Sequence, residues 1–191
     1  MPESADFKED NVMSIRNRMP PWHENFKLPN GHVLLLRPVR PEDVEPLQGV
    51  FALMGPEEIR ERFAPAAAGS VERFQQLTNP NAKREIVLVA AEPLPPGEAM
   101  IAALARAAIV PGSRQAEYII LVSSFVIGQG LGRQLLRKLV KWARGKYLDH
   151  LYGDVLERNM PMLELAESLG FQRQLHPESP DLVRMTLKLD G

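Results

Sequence analysis

The chain lacks cysteine in all of its 191 residues, which excludes disulfides, thiolate metal sites and a cysteine nucleophile. It also lacks an apolar run long enough to span a bilayer. Its first ten residues, MPESADFKED, are too acidic and polar for a signal peptide. These absences are typical of a protein from a reducing compartment, and we expect it in the cytoplasm, without a membrane partner.

No charge of one sign dominates the chain. The formal net charge is −1, which provides no global attraction to nucleic acid or to anionic membranes, so we expect no nucleic-acid partner and place any basic surface locally. The histidines are scattered without the spacing of metal ligands, and we predict no metal site. They are His23, His32, His150 and His176.

The length and the apolar content of the chain predict one domain preceded by a tail. At 45% hydrophobic residues, a chain of this length can bury one sizeable core. The polar stretch over residues 1–25, which contains Pro20 and Pro21, has no sustained periodicity and indicates a tail or docking extension. Residues 26–191 would then form the folded domain.

Hydrophobic periodicity predicts an α/β domain with a mixed central sheet and helices on both faces. The chain begins with one strand and an early pair of helices, continues with hairpin strands, and ends with alternating strands and helices. The predicted strands cover residues 33–37, 85–92, 100–110, 116–122, 150–156 and 182–189, with the last closing the sheet. One predicted helix begins at residue 41, and the others cover residues 56–63, 71–77, 133–146 and 159–169.

The most informative segment is AEYIILVSSFVIGQGLG, residues 116–132, in which an apolar strand enters a turn with three glycines. A helix rich in arginine and lysine follows directly. Gly128, Gly130 and Gly132 leave the turn without side chains, so backbone N–H groups can converge on an anion at the positive end of the helix dipole. The segment lacks the Walker and dinucleotide-binding spacings. It predicts another phosphate cradle, or else only a tight turn.

Together with the segment ERNMPMLELAESLGF, residues 157–171, this turn resembles the acetyl-CoA-binding core of the GNAT acyltransferases. Their signature is Gln/Arg-x-x-Gly-x-Gly/Ala after an apolar strand, and this chain has IGQGLG at residues 127–132. The wider pattern is similar to the catalytic domain of Pat-type protein lysine acetyltransferases over about residues 26–189. One departure is Ile127, which occupies the Gln/Arg position.

The resemblance implies a GNAT fold, whose central sheet is splayed at the cofactor site, and acetyl-CoA as cosubstrate. The main chain of Ile120 and Val122 would bond the pantetheine arm in the splay. The glycine turn and the Arg133 side chain would meet the pyrophosphate, and Asn159 would both cap a helix and lie near the cofactor. The implied cofactor-binding residues are Ile120, Val122, Ile127, Gly128, Gln129, Gly130, Leu131, Gly132, Arg133 and Asn159.

Glu117 is the candidate catalytic residue. Strand alternation places it on the same face as Ile119 and Leu121, where apolar neighbours would suit its carboxylate to accept a proton. Acyl transfer to an amine needs such a base, because an ammonium group is not a nucleophile, and in Pat-type enzymes a glutamate on this strand has that role. The alternative is that Glu117 is a glutamate at the end of a strand that faces solvent or is paired with a nearby arginine. Asp154 and Glu157 are the reserve candidates.

The sequence does not identify a general acid for the leaving thiolate. Many GNAT proteins have a tyrosine seven positions after the residue that corresponds to Asn159, whereas this chain has Ala166. Pat-type domains also lack this tyrosine. A thiol with a pKa of about 8.5 is a tolerable leaving group without protonation. Tyr118 and Tyr152 are the other candidates.

The resemblance favours direct acetyl transfer to an amine, with a protein lysine as the acceptor. A small-molecule amine is the first alternative, and a non-catalytic sensor of acyl-CoA is the second. We expect residues 54–79 to form the acceptor wall, and homodimers are common in the family. Carboxylates that could attract a cationic acceptor in this region are Glu57, Glu58, Glu61 and Glu72.

Overall fold

The computed structural model of the chain describes residues 19–54 and 71–190. Its strands are β1 Glu24–Lys27, β2 Val33–Pro38, β3 Glu85–Ala91, β4 Ile101–Ile109, β5 Gln115–Val122, β6 His150–Leu156, β7 Gln172–Leu175 and β8 Leu182–Lys188. Its helices are α1 Val44–Leu53, α2 Val71–Thr78, α3 Leu131–Gly145 and α4 Met160–Ser168, with short 3-10 turns at Pro41–Asp43 and Ser124–Val126.

The described strands form one mixed sheet in the order β1-β2-β3-β4-β5-β6-β8-β7. All neighbours are antiparallel except β5 and β6, which are parallel and are joined by α3, as a parallel connection requires. The predicted α/β class with a mixed sheet is therefore confirmed. The expectation that residues 182–189 close the sheet is wrong, because β7, which the periodicity missed, pairs with the outer side of β8.

Alternation along the strands divides the apolar residues between two layers. On one face of the sheet, strand residues such as Leu36, Leu88 and Ala105 pack with α3 and α4. On the other face, Val87 and Val89 pack with α1 and α2. Because successive side chains of a strand point to opposite faces, the nearly continuous apolar run of β3 supplies both cores. The predicted placement of helices on both faces is confirmed.

Helix α3 has the pattern of an amphipathic helix with one buried stripe. Leu135, Leu136 and Leu139 have no exposed surface, whereas Arg137 and Lys141 are exposed, as the helical period requires. The residue that precedes the helix, Gly130, has a left-handed φ of 85°. This arrangement fixes the positive end of the α3 dipole beside the glycine turn.

A buried ion pair attaches the start of α1 to the sheet. Arg37 of β2 donates two hydrogen bonds to Asp43, at 2.7 and 2.9 Å, and the exposed fractions of these residues are 3% and 0%. Asp43 also accepts the backbone N–H of Arg40 at 2.8 Å. The pair positions the 3-10 turn at Pro41–Asp43, from which α1 continues across the face that carries Glu117.

Several predictions concern residues that the structure does not describe. The predicted helix over residues 56–63 and the side chains of Glu57, Glu58, Glu61 and Glu72 lie outside the described residues. The predicted tail over residues 1–25 is described only from Met19, and β1 spans its boundary with residues 26–191, so the domain division stays a prediction. Across residues 19–54 and 71–190, no helix has the length and apolar character needed to cross a membrane.

Candidate active site

A gap opens between the two parallel strands at the centre of the sheet. The register of β5 with β6 consists of Gln115 with His150, Ala116 with Leu151 and Glu117 with Tyr152. Strand β5 continues to Val122 and β6 to Leu156, beyond the last register pair. At about 3.3 Å per residue, the gap follows β5 for about 16 Å, from an apex at Glu117 and Tyr152 to the glycine turn.

The main chain of β5 is directed into this gap at alternate residues. Ser123 donates its N–H to Ala102 at 2.8 Å and Val110 donates to Gln115 at 2.9 Å. These contacts identify the residues of β5 that exchange hydrogen bonds with β4. In an antiparallel ladder the residues between them point the other way, so Ile120 and Val122 direct their N–H and C=O groups toward β6. This is the orientation that a bound pantetheine arm requires.

The glycine turn has a backbone that other residues adopt with difficulty. Gly128 and Gly130 have φ values of 75° and 85°, in the region where a side chain is strained. A Cβ on Gly132 would lie 3.2 Å from Leu165 Cδ1 and 3.7 Å from Val122 Cγ2. The first two glycines therefore form the turn, and the third allows the first turn of α3 to approach β5 and α4 closely.

A groove of about 140 Å³ lies where the gap meets the glycine turn. Its walls come from β5, the turn, the first residues of α3 and the beginning of α4. They include seven of the ten residues implied as cofactor-binding, namely Ile120, Val122, Ile127, Gly128, Gly130, Gly132 and Asn159. The other walls are Val126, Pro161, Met162 and Leu165. Most of the sequence-derived site is thus brought together on the face that carries α3 and α4.

The remaining three implied residues lie at the edge of the groove or beneath it. Leu131 is only 1% exposed and belongs to the core under α3, so its side chain is not available to a ligand. Gln129 donates a long side-chain hydrogen bond to the Phe125 carbonyl at 3.4 Å. Arg133 is half-buried in the first turn of α3.

Glu117 lies at the apex of the gap, on the sheet face opposite the groove. It shares that face with Ile119, which packs against the core under α1 and α2, as the alternation predicts. It is half-buried, with Ala108 opposite it on β4 and Tyr152 opposite it on β6. A carboxylate and a cofactor groove therefore approach the same opening in the sheet from its two faces.

The other sequence candidates have environments that differ sharply. Asp154 accepts hydrogen bonds from Arg184 at 2.9 and 3.1 Å and contacts His176 at 3.2 Å, so its carboxylate is engaged in an ion pair. Glu157 is exposed beyond the end of β6. The reserve carboxylates are thus a paired residue and a surface residue.

The two tyrosine candidates occupy opposite faces. Tyr118 is 4% exposed, and among the described residues its hydroxyl has no hydrogen-bond partner. Burial, with a contribution from the charge of Asp154, raises the pKa of Tyr118 far above its ordinary value. Tyr152 is half-buried beside Glu117. Of the two, Tyr152 is on the face of Glu117.

Sequence reasoning missed the contacts around Tyr152. Arg184 of β8 lies over the Tyr152 ring, with its guanidinium carbon 4.5 Å from the ring centroid. The alternation of Tyr152 and Asp154 along β6 is a signal that both share a face. However, their meeting with Arg184 depends on the pairing of β6 with β8, which the sequence pattern does not specify.

The fold is similar to that of acetyltransferases of known structure. It resembles the GNAT domain of S. lividans PAT with a TM-score of 0.73 and 21% identity, covering 90% of this chain and 100% of that one. It also resembles yncA, a putative acetyltransferase from Salmonella typhimurium solved with its cofactor acetyl-CoA, with a TM-score of 0.63 and 20% identity, covering 83% of this chain and 95% of that one.

A third solved structure is the cAMP-binding acyltransferase from Mycobacterium smegmatis, with a TM-score of 0.59 and 20% identity. The match covers 88% of this chain and 48% of that chain. The likenesses define a protein with the fold of the GNAT acetyltransferases.

The family is shown by the sequence itself. Residues 33–172 match the family model described as an acetyltransferase (GNAT) domain, which is more than half of the chain. The protein therefore belongs to the GNAT acetyltransferase family and is an N-acetyltransferase with acetyl-CoA as its cosubstrate. The residues present fit this cosubstrate, because the groove joins a glycine turn at a helix N-terminus to strand N–H groups directed into the gap.

Proposed function

We propose that the protein transfers the acetyl group of acetyl-CoA directly to a lysine side chain of another protein, with Glu117 as the general base. The observation that carries this proposal is the position of Glu117 at the apex of the gap between β5 and β6. The groove lies on one face of the sheet and the carboxylate on the other. An amine that approaches from the face of Glu117 would meet a thioester that enters from the groove.

The cofactor side of the reaction rests on backbone groups. The pantetheine arm would follow β5 and bond the main chain of Ile120 and Val122, with the pyrophosphate at the glycine turn and Asn159 beside the arm. The N–H groups of β5 that face the gap would polarise the thioester carbonyl as its oxygen gains charge. The proposed cofactor-binding residues also include Ile127, Gln129, Leu131 and Arg133. The Arg133 guanidinium would reach the pyrophosphate.

The acceptor side of the reaction rests on Glu117. A lysine ammonium with a pKa near 10.4 is almost wholly protonated at neutral pH, so a carboxylate at the apex would both attract the cation and remove the proton that blocks attack. Holding the amine and the thioester at one opening makes the step effectively unimolecular. The resemblance of the sequence to Pat-type protein lysine acetyltransferases over about residues 26–189 is what favours a protein acceptor.

The test is an acetylation assay with matched variants. The purified protein is incubated with acetyl-CoA and either a proteome extract or a panel of small amines, and acetylated products are identified by mass spectrometry. We expect Glu117→Gln to lower kcat by about 10²- to 10⁴-fold, the range for a general base, with unchanged affinity for acetyl-CoA. Glu164→Gln is the control, because Glu164 is an exposed carboxylate on α4, which packs on the face of the sheet opposite Glu117.

The outcomes separate the alternatives. Acetyl-lysine in the extract that depends on Glu117 supports the proposal, whereas products only among the small amines would replace the protein acceptor with a metabolite. Binding of acetyl-CoA with no Glu117-dependent product in either mixture would point to a sensor of acyl-CoA. With this function we also predict that the protein is located in the cytoplasm and forms a homodimer.

A further inference from the structure

A compact polar cluster lies beside Glu117 on the same face of the sheet. It consists of Tyr152, Asp154, His176 and Arg184. Arg184 covers the Tyr152 ring at 4.5 Å and donates two hydrogen bonds to Asp154, from Nε at 2.9 Å and from Nη2 at 3.1 Å. A two-pronged contact of this kind fixes the plane of the guanidinium, and the guanidinium in turn fixes the ring that it covers.

The cluster is held at its far end by His176. Its Nδ1 accepts the backbone N–H groups of Glu178 at 3.1 Å and Ser179 at 3.0 Å. The proton of the neutral ring therefore lies on Nε2, which donates to Asp154 at 3.2 Å. The side chains of His176 and Asp154 are 10% and 15% exposed. Three elements, β6, β8 and the β7–β8 loop, thus cooperate to hold one aromatic ring.

The ring so held is the residue opposite Glu117. Tyr152 and Glu117 form the last register pair of the two parallel strands, so their side chains leave the apex of the gap on one face about 4.8 Å apart at the backbone. Burial raises the pKa of Tyr152, and the negative charge of Glu117 raises it further, whereas Arg184 acts in the opposite direction. The phenol is therefore protonated at neutral pH and close enough to Glu117 to respond to its charge.

Resting on the proposed function, we infer that the Tyr152 hydroxyl donates the proton to the thiolate that leaves the thioester, and that Arg184, Asp154 and His176 are positioning residues for it. The tyrosine with which many GNAT proteins protonate the thiolate is replaced here by Ala166, which is fully buried. In this proposal the tyrosine that protonates the thiolate is on β6 rather than on α4.

The proton balance closes within the pair. Glu117 first passes one proton of the ammonium to solvent and is again a carboxylate. The neutral amine nitrogen then attacks the carbonyl carbon, its N–C bond forms, and Glu117 takes the second proton that the nitrogen loses. The C–S bond then breaks, the electron pair remains on sulfur, and the sulfur takes the hydroxyl proton of Tyr152. Protonated Glu117 returns its proton to the phenolate. The second proton of the amine ends on the thiol, the first has gone to solvent, and both residues regain their starting states without an outside acid.

Electrostatics favour this order of events. While Glu117 is charged, it opposes ionisation of Tyr152. Once Glu117 has taken the amine proton, that opposition disappears and the Arg184 cation above the ring still stabilises a phenolate. Tyr152 thus becomes a better donor at the step that needs one. The other charged or titratable groups that alternation along β3, β4, β6 and β8 places on this face are Glu85, Arg106, His150 and Lys188.

The test compares Tyr152→Phe with Tyr147→Phe. The first keeps the ring under Arg184 and removes only the hydroxyl, and the second removes the same group from a side chain that is 75% exposed. The pKa of the thiol of bound CoA is measured from the ¹³C shift of a labelled methylene beside sulfur. We expect Tyr152→Phe to raise this thiol pKa by about one pH unit, because a hydrogen bond to the thiolate is lost.

The same variants are compared in turnover. We expect Tyr152→Phe to lower kcat by about 10- to 100-fold, at the low end of general acid catalysis, with CoA affinity and melting temperature unchanged. Arg184→Lys should raise the thiol pKa in the wild-type background and leave it unchanged in the Tyr152→Phe background, because Arg184 acts through Tyr152. A purely structural role would produce the same shift in both.

Two outcomes would overturn the inference. One is a thiol pKa and a kcat in Tyr152→Phe equal to those of Tyr147→Phe, which would mean that the thiolate leaves unprotonated. The other is an additive effect of Arg184→Lys. Other results would contradict the proposed function itself. They are a wild-type protein that does not bind CoA, or a Glu117→Gln variant with full activity.

Discussion

Gly153 is the first residue of β6 beyond the apex of the gap, and replacing it with alanine tests how that apex is built. A Cβ at this position would lie 2.5, 2.6 and 2.7 Å from three ring atoms of Tyr118. The ring is buried and held edge-on by Phe171, at a centroid distance of 5.5 Å. The Tyr118 ring therefore has little room to move away, and only a glycine at position 153 allows this ring to cross beneath β6.

Two opposing contributions decide the size of the effect. Alanine in place of glycine within a strand stabilises the fold by roughly 0.5–1 kcal/mol through chain entropy, whereas overpacking of this kind costs about 1–3 kcal/mol. We expect Gly153→Ala to lower the free energy of unfolding by about 1–2 kcal/mol. For a chain of this length, that corresponds to a decrease of roughly 2–8 °C in the melting temperature. Thermal melting measures this decrease, and urea unfolding measures the free energy independently.

The control is a double-mutant cycle with Tyr118→Leu, which removes the ring atoms that the new methyl would meet. In that background, Gly153→Ala should be neutral or stabilising, so the two substitutions should show a coupling energy of about 2 kcal/mol. If their effects on the free energy of unfolding add within about 0.5 kcal/mol, the contact does not set the approach of the two strands.

Two further predictions concern ion pairs. Asp43→Asn should leave the buried Arg37 guanidinium without its counter-charge and lower the free energy of unfolding by about 3–5 kcal/mol; a loss under about 1 kcal/mol in urea unfolding would contradict the role of this pair. The hydrogen bond from Lys138 to Glu24 holds the pKa of Glu24 below its ordinary 4.5, so this stability is present above pH 4.5 and is lost as the pH falls through the lower folded value. Melting curves of Glu24→Gln should therefore lie slightly below wild type at pH 7 and converge with it as the pH falls below 4.5 and through the lower folded value; a difference that stays the same over this acid range would contradict the assignment.

The sequence predicts most of the elements because their patterns are local. The glycine turn, the amphipathic stripe of α3 and the asparagine before α4 each depend on neighbouring residues. Asn159 accepts the Met162 N–H at 3.4 Å as its position predicts, and Gly170 has a left-handed φ of 93° after α4. The short strands β1 and β7 are missed, because each has only four residues and the exposed pattern of β7 gives no alternation.

The candidate site is predictable only where one strand or one turn contains it. Alternation along β5 places Glu117 and the groove residues on opposite faces, and the resemblance supplies their roles. The cluster around Tyr152 depends instead on pairings among strands that are distant in the chain. Arg184 lies 30 residues from Asp154 and His176 lies 22 residues from it, and no local pattern indicates that these three side chains meet.

The most direct test of the account is calorimetric titration of the purified protein with acetyl-CoA, with free CoA and ATP as comparators. The account predicts that acetyl-CoA and CoA each bind at one site per chain, because the gap and the glycine turn hold the pantetheine arm and pyrophosphate. It predicts that ATP, which has no pantetheine arm, binds much more weakly. Absence of heat with both CoA species, or equal affinity for ATP, would contradict the claim that the gap between β5 and β6 is a cosubstrate site.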